Sequence, residues 1–352
     1  MERRIPALDG LRGVAISMVL LRHLYGVIAC WAGVDIFFVL SGYLITTILC
    51  AERHEPHFWR IFYVRRITRI VPAYLALMLG TVLLVHVPWH LLWPYYTFFA
   101  ANLANVTFTD QQMGPLTAIW SLSVEEHFYF LWPTIVRFLN DRVLLWLLVV
   151  LAIAEPTGRV LYLHVNPDWR IYYFLTPFRV DGLILGALLS VALSFPQIKV
   201  FLTRASAALF LASAIVCVAV FGFFHLTRDG NPWMYNAIGY LLIAVTSTFA
   251  LSWLVLERQS FFSKALSTAP LVFLGRISYG LYLYHPLVRD VVQNIAHHYG
   301  QAHAYRNNLV TLPIAILVAW FSFRFLESPI LAYGKRLVGE YRSAGGRIHT
   351  TA

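Results

Sequence analysis

Apolar stretches long enough to cross a bilayer recur down this whole chain, and that recurrence leaves few folds open to it. Windows near 10–29, 32–50, 70–88, 120–139, 143–161, 172–194, 205–225, 236–256, 271–293 and 308–327 are dominated by aliphatic and aromatic side chains. A hydrocarbon core of about 30 Å needs about 20 helical residues, because in lipid each backbone N–H and C=O must find its partner within the segment. The pattern predicts an all-α fold: a polytopic membrane bundle of about ten transmembrane helices, forming one domain over 1–334 with a short basic tail at 335–352. The stretch 89–119 is apolar but broken by Pro88, Pro94, Asn102, Asn105 and Pro115, and reads as an external loop holding an interfacial or re-entrant helix.

Composition closes the alternatives. Charged residues make up 12% of the chain against 59% hydrophobic ones, which excludes an ordinary soluble enzyme. Aromatics at 16% suit interfacial belts and tight bundle interiors. The N-terminal MERRIPALDG is basic, but the apolar run after it is of full spanning length and has no small-residue cleavage site, so the first helix reads as a retained anchor. Cys30, Cys50 and Cys217 are far apart and read as buried thiols, and no His/Cys group has zinc-ligand spacing, so no metal is expected.

The net charge of +10 would suit a nucleic-acid partner, but the basic residues are interleaved with the spans. Most of them, from Arg3 and Arg4 through Arg53 and Arg60 to Lys335, Arg336 and Arg347, fall on one side if the N-terminus is cytoplasmic. The other side holds chiefly Arg159, Arg170, Arg228, Arg289 and Arg306. This is positive-inside asymmetry; it places both termini in the cytoplasm and leaves no nucleic-acid surface.

Ionisable residues inside the spans then carry the function. Ten residues separate Arg12 from His23 in LDGLRGVAISMVLLRHLYGV. At about 1.5 Å per residue the two lie about 16 Å apart along a helix, with one at a membrane surface and the other well inside. Counting depth in the same way puts Asp35, Glu125, Glu126, Arg179, Asp181 and His285 near the level of His23, which predicts a polar chamber opening to the external side. A histidine there can take a hydroxyl proton, and a nearby carboxylate can orient it. Ser41 reads more simply as a small residue that, with Gly42, lets two helices approach. Arg65, Arg66 and Arg69, in HFWRIFYVRRITRIVPAY, suit phosphates of a lipid head group or a nucleotide-containing cofactor, or else plain anchoring.

Seven ordered motifs carry a resemblance: LDGLRGVA, GVDIFFVLSGYLI, FYVRRITRIVPAY, WSLSVEEHFYFLWP, FRVDGLILGALL, ISYGLYLYHP and FRFLESPI. Together they make the chain resemble the acyltransferase 3 family of membrane-bound O-acyltransferases. The resemblance implies a bacterial inner-membrane enzyme with acyl-CoA, most often acetyl-CoA, as donor and a hydroxyl of a sugar, polysaccharide or glycolipid as acceptor. It gives Arg12 and His23 an essential role and makes Arg65, Arg66 and Arg69, with Arg12, the expected coenzyme A contacts. It places the family glutamate on Glu125, with His127 where glutamine is common. No hydrolase-like segment of the kind some members append is legible in YGKRLVGEYRSAGGRIHTTA.

The catalytic set expected from residues and resemblance together is His23, Glu125, Asp35 and Arg12. Asp35 has an alternative as a helix cap. Arg22 is left with three readings, snorkelling outward, pairing with Asp35 or Glu125, or contacting an anionic acceptor, and Arg179 with Asp181 and Arg324 with Glu327 read as local ion pairs. Two other functions compete: acylation of a cytoplasmic or membrane-dissolved natural product, and proton-coupled transport through His23, Glu125 and Asp35. No repeated halves or paired broken helices favour the transporter. Trp89, Trp93, Tyr95, Tyr96 and Asn102 are candidates to shape acceptor choice. Neither the acceptor's identity nor the oligomeric state is legible.

Overall fold

The computed structural model describes residues 5–225, 232–300 and 304–349, so Arg3, Arg4 and Arg228 lie outside the described residues. All its regular structure there is helical. The principal helices are α1 (Pro6–Tyr25), α2 (Gly33–Glu52), α3 (Phe58–Leu84), α4 (Trp89–Thr97), α5 (Ala101–Thr107), α6 (Trp120–Phe138) and α7 (Asp141–Leu163). They continue with α8 (Asp181–Ala192), α9 (Pro196–Phe223), α10 (Tyr240–Leu256), α11 (Ala269–His298), α12 (Ala304–Ser322) and α13 (Ser328–His349). Each apolar window of the sequence overlaps one of these helices.

Among the described residues, six segments are long and apolar enough to cross a membrane by length and composition: Cys30–Glu52, Phe58–Leu84, Asp141–Leu163, Pro196–Phe223, Pro232–Leu256 and Asn308–Ser343. The rest of the expected ten fall short for an identifiable reason. Helices α1, α6 and α11 carry the ionisable residues, and α8 is only 12 residues long. The segment containing α9 shows what a lipid-facing helix looks like, since only 6% of its apolar window is buried within the protein.

Local chemistry sets the ends of α1. Pro6 opens it, where a missing N–H costs nothing, and Gly26 closes it in the left-handed region at φ 72°, its N–H returning to Arg22 O. The helix then packs along α11 through small residues. A Cβ on Gly13 would lie 2.1 Å from the Leu271 carbonyl oxygen, and one on Gly275 1.8 Å from that of Asp9; one on Gly10 would lie 1.7 Å from the carbonyl oxygen of Leu266, just before α11. Only glycine permits such backbone contact, which is how bundles associate where burial of apolar surface against lipid gains little.

The 89–119 stretch does fold back on itself. The Tyr74 hydroxyl donates to Tyr96 O at 2.7 Å, and ten residues separate Tyr74 from the end of α3 at Leu84, so this segment reaches about 15 Å down α3. It turns at Phe98–Phe99, with Phe99 at a φ of 52°, and returns as α5. Tyr96 and Asn102 are buried there, while Trp93 is exposed. The C-terminal stretch is also helical: α13 lies against α3, and Arg342 joins Arg65 on the Glu52 carboxylate.

Candidate functional site

Helices α1, α2, α3, α6 and α11 surround a cavity of about 290 Å³. Each contributes polar groups: Arg12 from α1, Ser41 from α2, Arg66 and Arg69 from α3, Glu125 and Tyr129 from α6, and Tyr282 from α11. Phe37, Phe38, Leu44, Ile45 and Ile48 form an apolar side along α2. Arg66 is steadied by the Tyr129 ring, 5.0 Å from its guanidinium carbon, and Arg12 lies 3.5 Å from Asp9. The Ser41 hydroxyl donates to Glu125 Oε1 at 2.6 Å. Three guanidinium groups facing one carboxylate leave the cavity an excess of positive charge, and planar forks of this kind suit phosphate oxygens.

Tyr282 stands at the edge of this cavity. Its hydroxyl lies 2.8 Å from Ala118 O and 2.6 Å from Ser121 Oγ, and its ring centroid is 6.0 Å from that of His285. Beyond it is a histidine pair. His23 Nδ1 lies 2.7 Å from His285 Nε2, the rings nearly parallel at 13° with centroids 5.0 Å apart. His285 Nδ1 is 3.1 Å from Leu281 O. His23 and His285, expected at one level from their positions along α1 and α11, are in direct contact.

Asp35 belongs to neither group. Its Oδ1 lies 3.0 Å from Arg179 Nη2, both side chains being buried. Arg179 in turn stacks over Tyr240, 3.9 Å from the ring centroid. Asp181 pairs not with its neighbour Arg179 but with Arg159 at 3.1 Å, and Arg159 also meets Glu155 at 3.0 Å. Arg159, counted among the basic residues of the external side, is fully buried. The single polar chamber resolves into three constellations: the arginine cavity, the histidine pair and this ion-pair cluster.

Other expectations are revised by the same contacts. Arg65 turns away from the cavity to make two bonds with the Glu52 carboxylate, at 2.7 and 2.8 Å. Arg22 reaches Gly26 O at 3.4 Å, rather than Asp35 or Glu125. Glu327 accepts from Ser322 Oγ at 2.9 Å instead of pairing with Arg324, which is exposed. Glu126 points to the other side of α6, into a cavity of about 440 Å³ shared with Arg66, Phe98, Phe99 and His127. His127 Nδ1 meets Thr176 Oγ1 at 2.7 Å. The cysteines are free thiols, each partly buried.

Sequence reasoning favoured a packing role for Ser41 and did not single out Tyr129 or Tyr282. Ser41 does serve close packing beside Gly42, where a Cβ would lie 2.0 Å from Leu183 O, but its hydroxyl also holds Glu125. The signal was present in register: Ser41 lies six residues after Asp35, and Glu125 five residues after Trp120.

Comparison with known proteins identifies the family. A family model described as an acyltransferase domain matches residues 5–326. The O-acetyltransferase OatA of Staphylococcus aureus strain NCTC 8325 is 30% identical over 94% of this chain and 58% of its own length. The peptidoglycan O-acetyltransferase OatA of Listeria monocytogenes is also 30% identical, over 95% of this chain and 57% of its own length. A putative O-acetyltransferase of Staphylococcus aureus strain COL is 28% identical over 94% and 58%. The chain thus spans somewhat over half the length of these relatives. No solved structure matches it. Because the family match runs through nearly all the described helices, from the start of α1 to the turn after α12, the chain belongs to the acyltransferase 3 family.

Proposed function

We propose that this chain is an integral membrane O-acyltransferase of a bacterial inner membrane, with about ten spans and both termini cytoplasmic. It takes an acyl group, acetyl in the first instance, from acyl-CoA at the cytoplasmic face. It delivers that group to a hydroxyl of a polysaccharide, sugar or glycolipid at or near the external face. The observation that carries the proposal is the cavity in which Arg12, Arg66 and Arg69 meet the Ser41–Glu125 pair. The relatives' printed names, O-acetyltransferase and peptidoglycan O-acetyltransferase, support an acetyl group and a glycan acceptor.

The donor set fits the group it would hold. At about 290 Å³ the cavity is at the small end of ligand sites, which suits the slender acyl-pantetheine end of the donor better than the whole coenzyme. Arg12, Arg66 and Arg69 supply charge for phosphates, and the α2 aliphatic wall supplies apolar contact for the arm. Arg65 supports this set from outside by tying α3 to Glu52. Transfer requires the acceptor oxygen to bond to the thioester carbonyl carbon as the carbon–sulfur bond breaks, with the hydroxyl proton finally reaching the sulfur. His23 takes that proton, and Glu125 serves as a second acid–base group near the thioester. Asp35 holds Arg179 and so shapes the α2–α8 interface rather than touching the reacting atoms.

The test uses purified protein in nanodiscs, mixed with acetyl-CoA and a soluble glycan, with free thiol and donor binding both followed. Wild type should bind acetyl-CoA and release thiol. His23→Ala should bind but not release, and Arg66→Ala should bind weakly. Wild-type protein that binds no acetyl-, propionyl- or longer acyl-CoA would overturn the proposal.

A further inference from the structure

We infer that His285 is a positioning residue that selects the tautomer of His23, so that His23 Nε2 is the nitrogen that accepts the acceptor's proton. The inference rests on the proposed acyl transfer for its chemical meaning, but its geometry stands independently.

His285 is fully buried in α11. Its Nδ1 lies 3.1 Å from Leu281 O. A carbonyl oxygen can only accept, so the nitrogen facing it must carry the proton.

With Nδ1 protonated, the neutral His285 ring presents a lone pair at Nε2. That atom is 2.7 Å from His23 Nδ1, so the shared proton has to come from His23. A neutral His23 protonated at Nδ1 has its lone pair at Nε2, which makes no hydrogen bond among the described residues. The direction of the chain is fixed from one end: carbonyl, His285, His23, then the free Nε2. The hydrogen bond made by one imidazole nitrogen commonly sets the protonation of the other.

The pair also accommodates the charge created in the reaction. When Nε2 accepts the acceptor's proton, His23 becomes an imidazolium whose Nδ1–H still points at a lone pair on His285. A neutral histidine does this without adding an anion to the interior, where an unpaired carboxylate would be costly. Reversal would require His285 to abandon Leu281 O.

The experiment has two arms. In the first, wild-type protein labelled with nitrogen-15 at histidine is studied in nanodiscs at neutral pH, with the His23 signals assigned by their loss in His23→Gln. An unprotonated nitrogen resonates far downfield of a protonated one, and the expected result is an unprotonated Nε2 beside a protonated Nδ1. The reverse tautomer, or a doubly protonated ring, overturns the inference.

In the second arm, His285→Leu lowers kcat by about 100-fold while the KM for acetyl-CoA stays within about threefold, because the base is misoriented and the donor cavity is untouched. His285→Gln places an amide oxygen where Nε2 stood and holds kcat within about tenfold of wild type. Equal kcat for wild type and His285→Leu, or no advantage of Gln over Leu, contradicts the inference. A wild type that uses no acyl donor would sink the proposed function alone, since the nitrogen spectrum still decides the tautomer.

Discussion

Replacing Asp35 by asparagine separates a catalytic carboxylate from one that holds the bundle together. Asp35 and Arg179 are both almost completely shielded, with 3.0 Å between Oδ1 and Nη2. Breaking a buried pair by removing one partner costs about 3–5 kcal/mol, because the remaining charge has lost its compensation. Arg179 retains the Tyr240 face at 3.9 Å and the field of Asp181, which favours the lower end. We take about 3 kcal/mol, a factor of about 150 in the folded-to-unfolded ratio. At about 2 °C per kcal/mol for a large domain, the midpoint should drop by about 6 °C.

Thermal unfolding of detergent-purified Asp35→Asn, followed by intrinsic fluorescence, reads that shift. Thiol release per folded molecule should stay within about threefold of wild type, since Asp35 touches neither the arginine cavity nor the histidine pair. Removing both partners, as Asp35→Leu with Arg179→Met, should recover most of the lost stability, because an apolar replacement of a buried pair is often neutral. The reasoning is refuted if Asp35→Asn melts like wild type yet loses activity. That result would return Asp35 to the reacting atoms, the role its depth in the sequence suggested.

Further perturbations distinguish the cavity's residues from their neighbours. Arg66→Ala and Arg69→Ala should each weaken acetyl-CoA binding by about 10- to 100-fold, the value of a charge-assisted contact, measured by equilibrium binding in nanodiscs. Arg65→Ala, whose guanidinium faces Glu52, should weaken binding less than either; equal losses would put Arg65 in the donor site after all. Glu125→Gln can still accept from Ser41, so donor binding should persist while turnover falls by about 100-fold. Gly10→Ala would place a methyl carbon 1.7 Å from Leu266 O and should destabilise by about 1–3 kcal/mol in the same fluorescence assay, whereas Gly158→Ala, with open space around it inside α7, should be neutral or stabilise by up to about 1 kcal/mol, because alanine is the better helix former.

Depth could be read from the sequence for the histidine pair but not for Glu125, which shares a cavity with Arg12, and azimuth could not be read at all. A rise of about 1.5 Å per residue is enough to put His23 and His285 at one level, and the two rings do meet. The same counting cannot say which helices are neighbours. It therefore paired Arg179 with Asp181 and Arg324 with Glu327 inside single segments, where the structure sends the partners to other helices or to Ser322. Among Arg65, Arg66 and Arg69, helical spacing alone could not show that Arg65 faces Glu52, because that depends on how α3 is rotated against α2. The apolar windows were legible because lipid imposes length and composition directly. Helices α1, α6 and α11 fall below a simple hydropathy threshold because they carry the site, and the polarity that obscures them as spans marks them as functional.

Transfer across the membrane is the central claim, and sided vesicles test it most directly. Inside-out membrane vesicles containing the protein and a trapped glycan would receive acetyl-CoA labelled in its acetyl group in the outer medium, which bathes the cytoplasmic face. The account predicts labelled acetyl ester on the trapped glycan, absent with His23→Ala and strongly reduced with Arg66→Ala. Label appearing only when donor and glycan share one compartment, or no label with either arrangement, would contradict it.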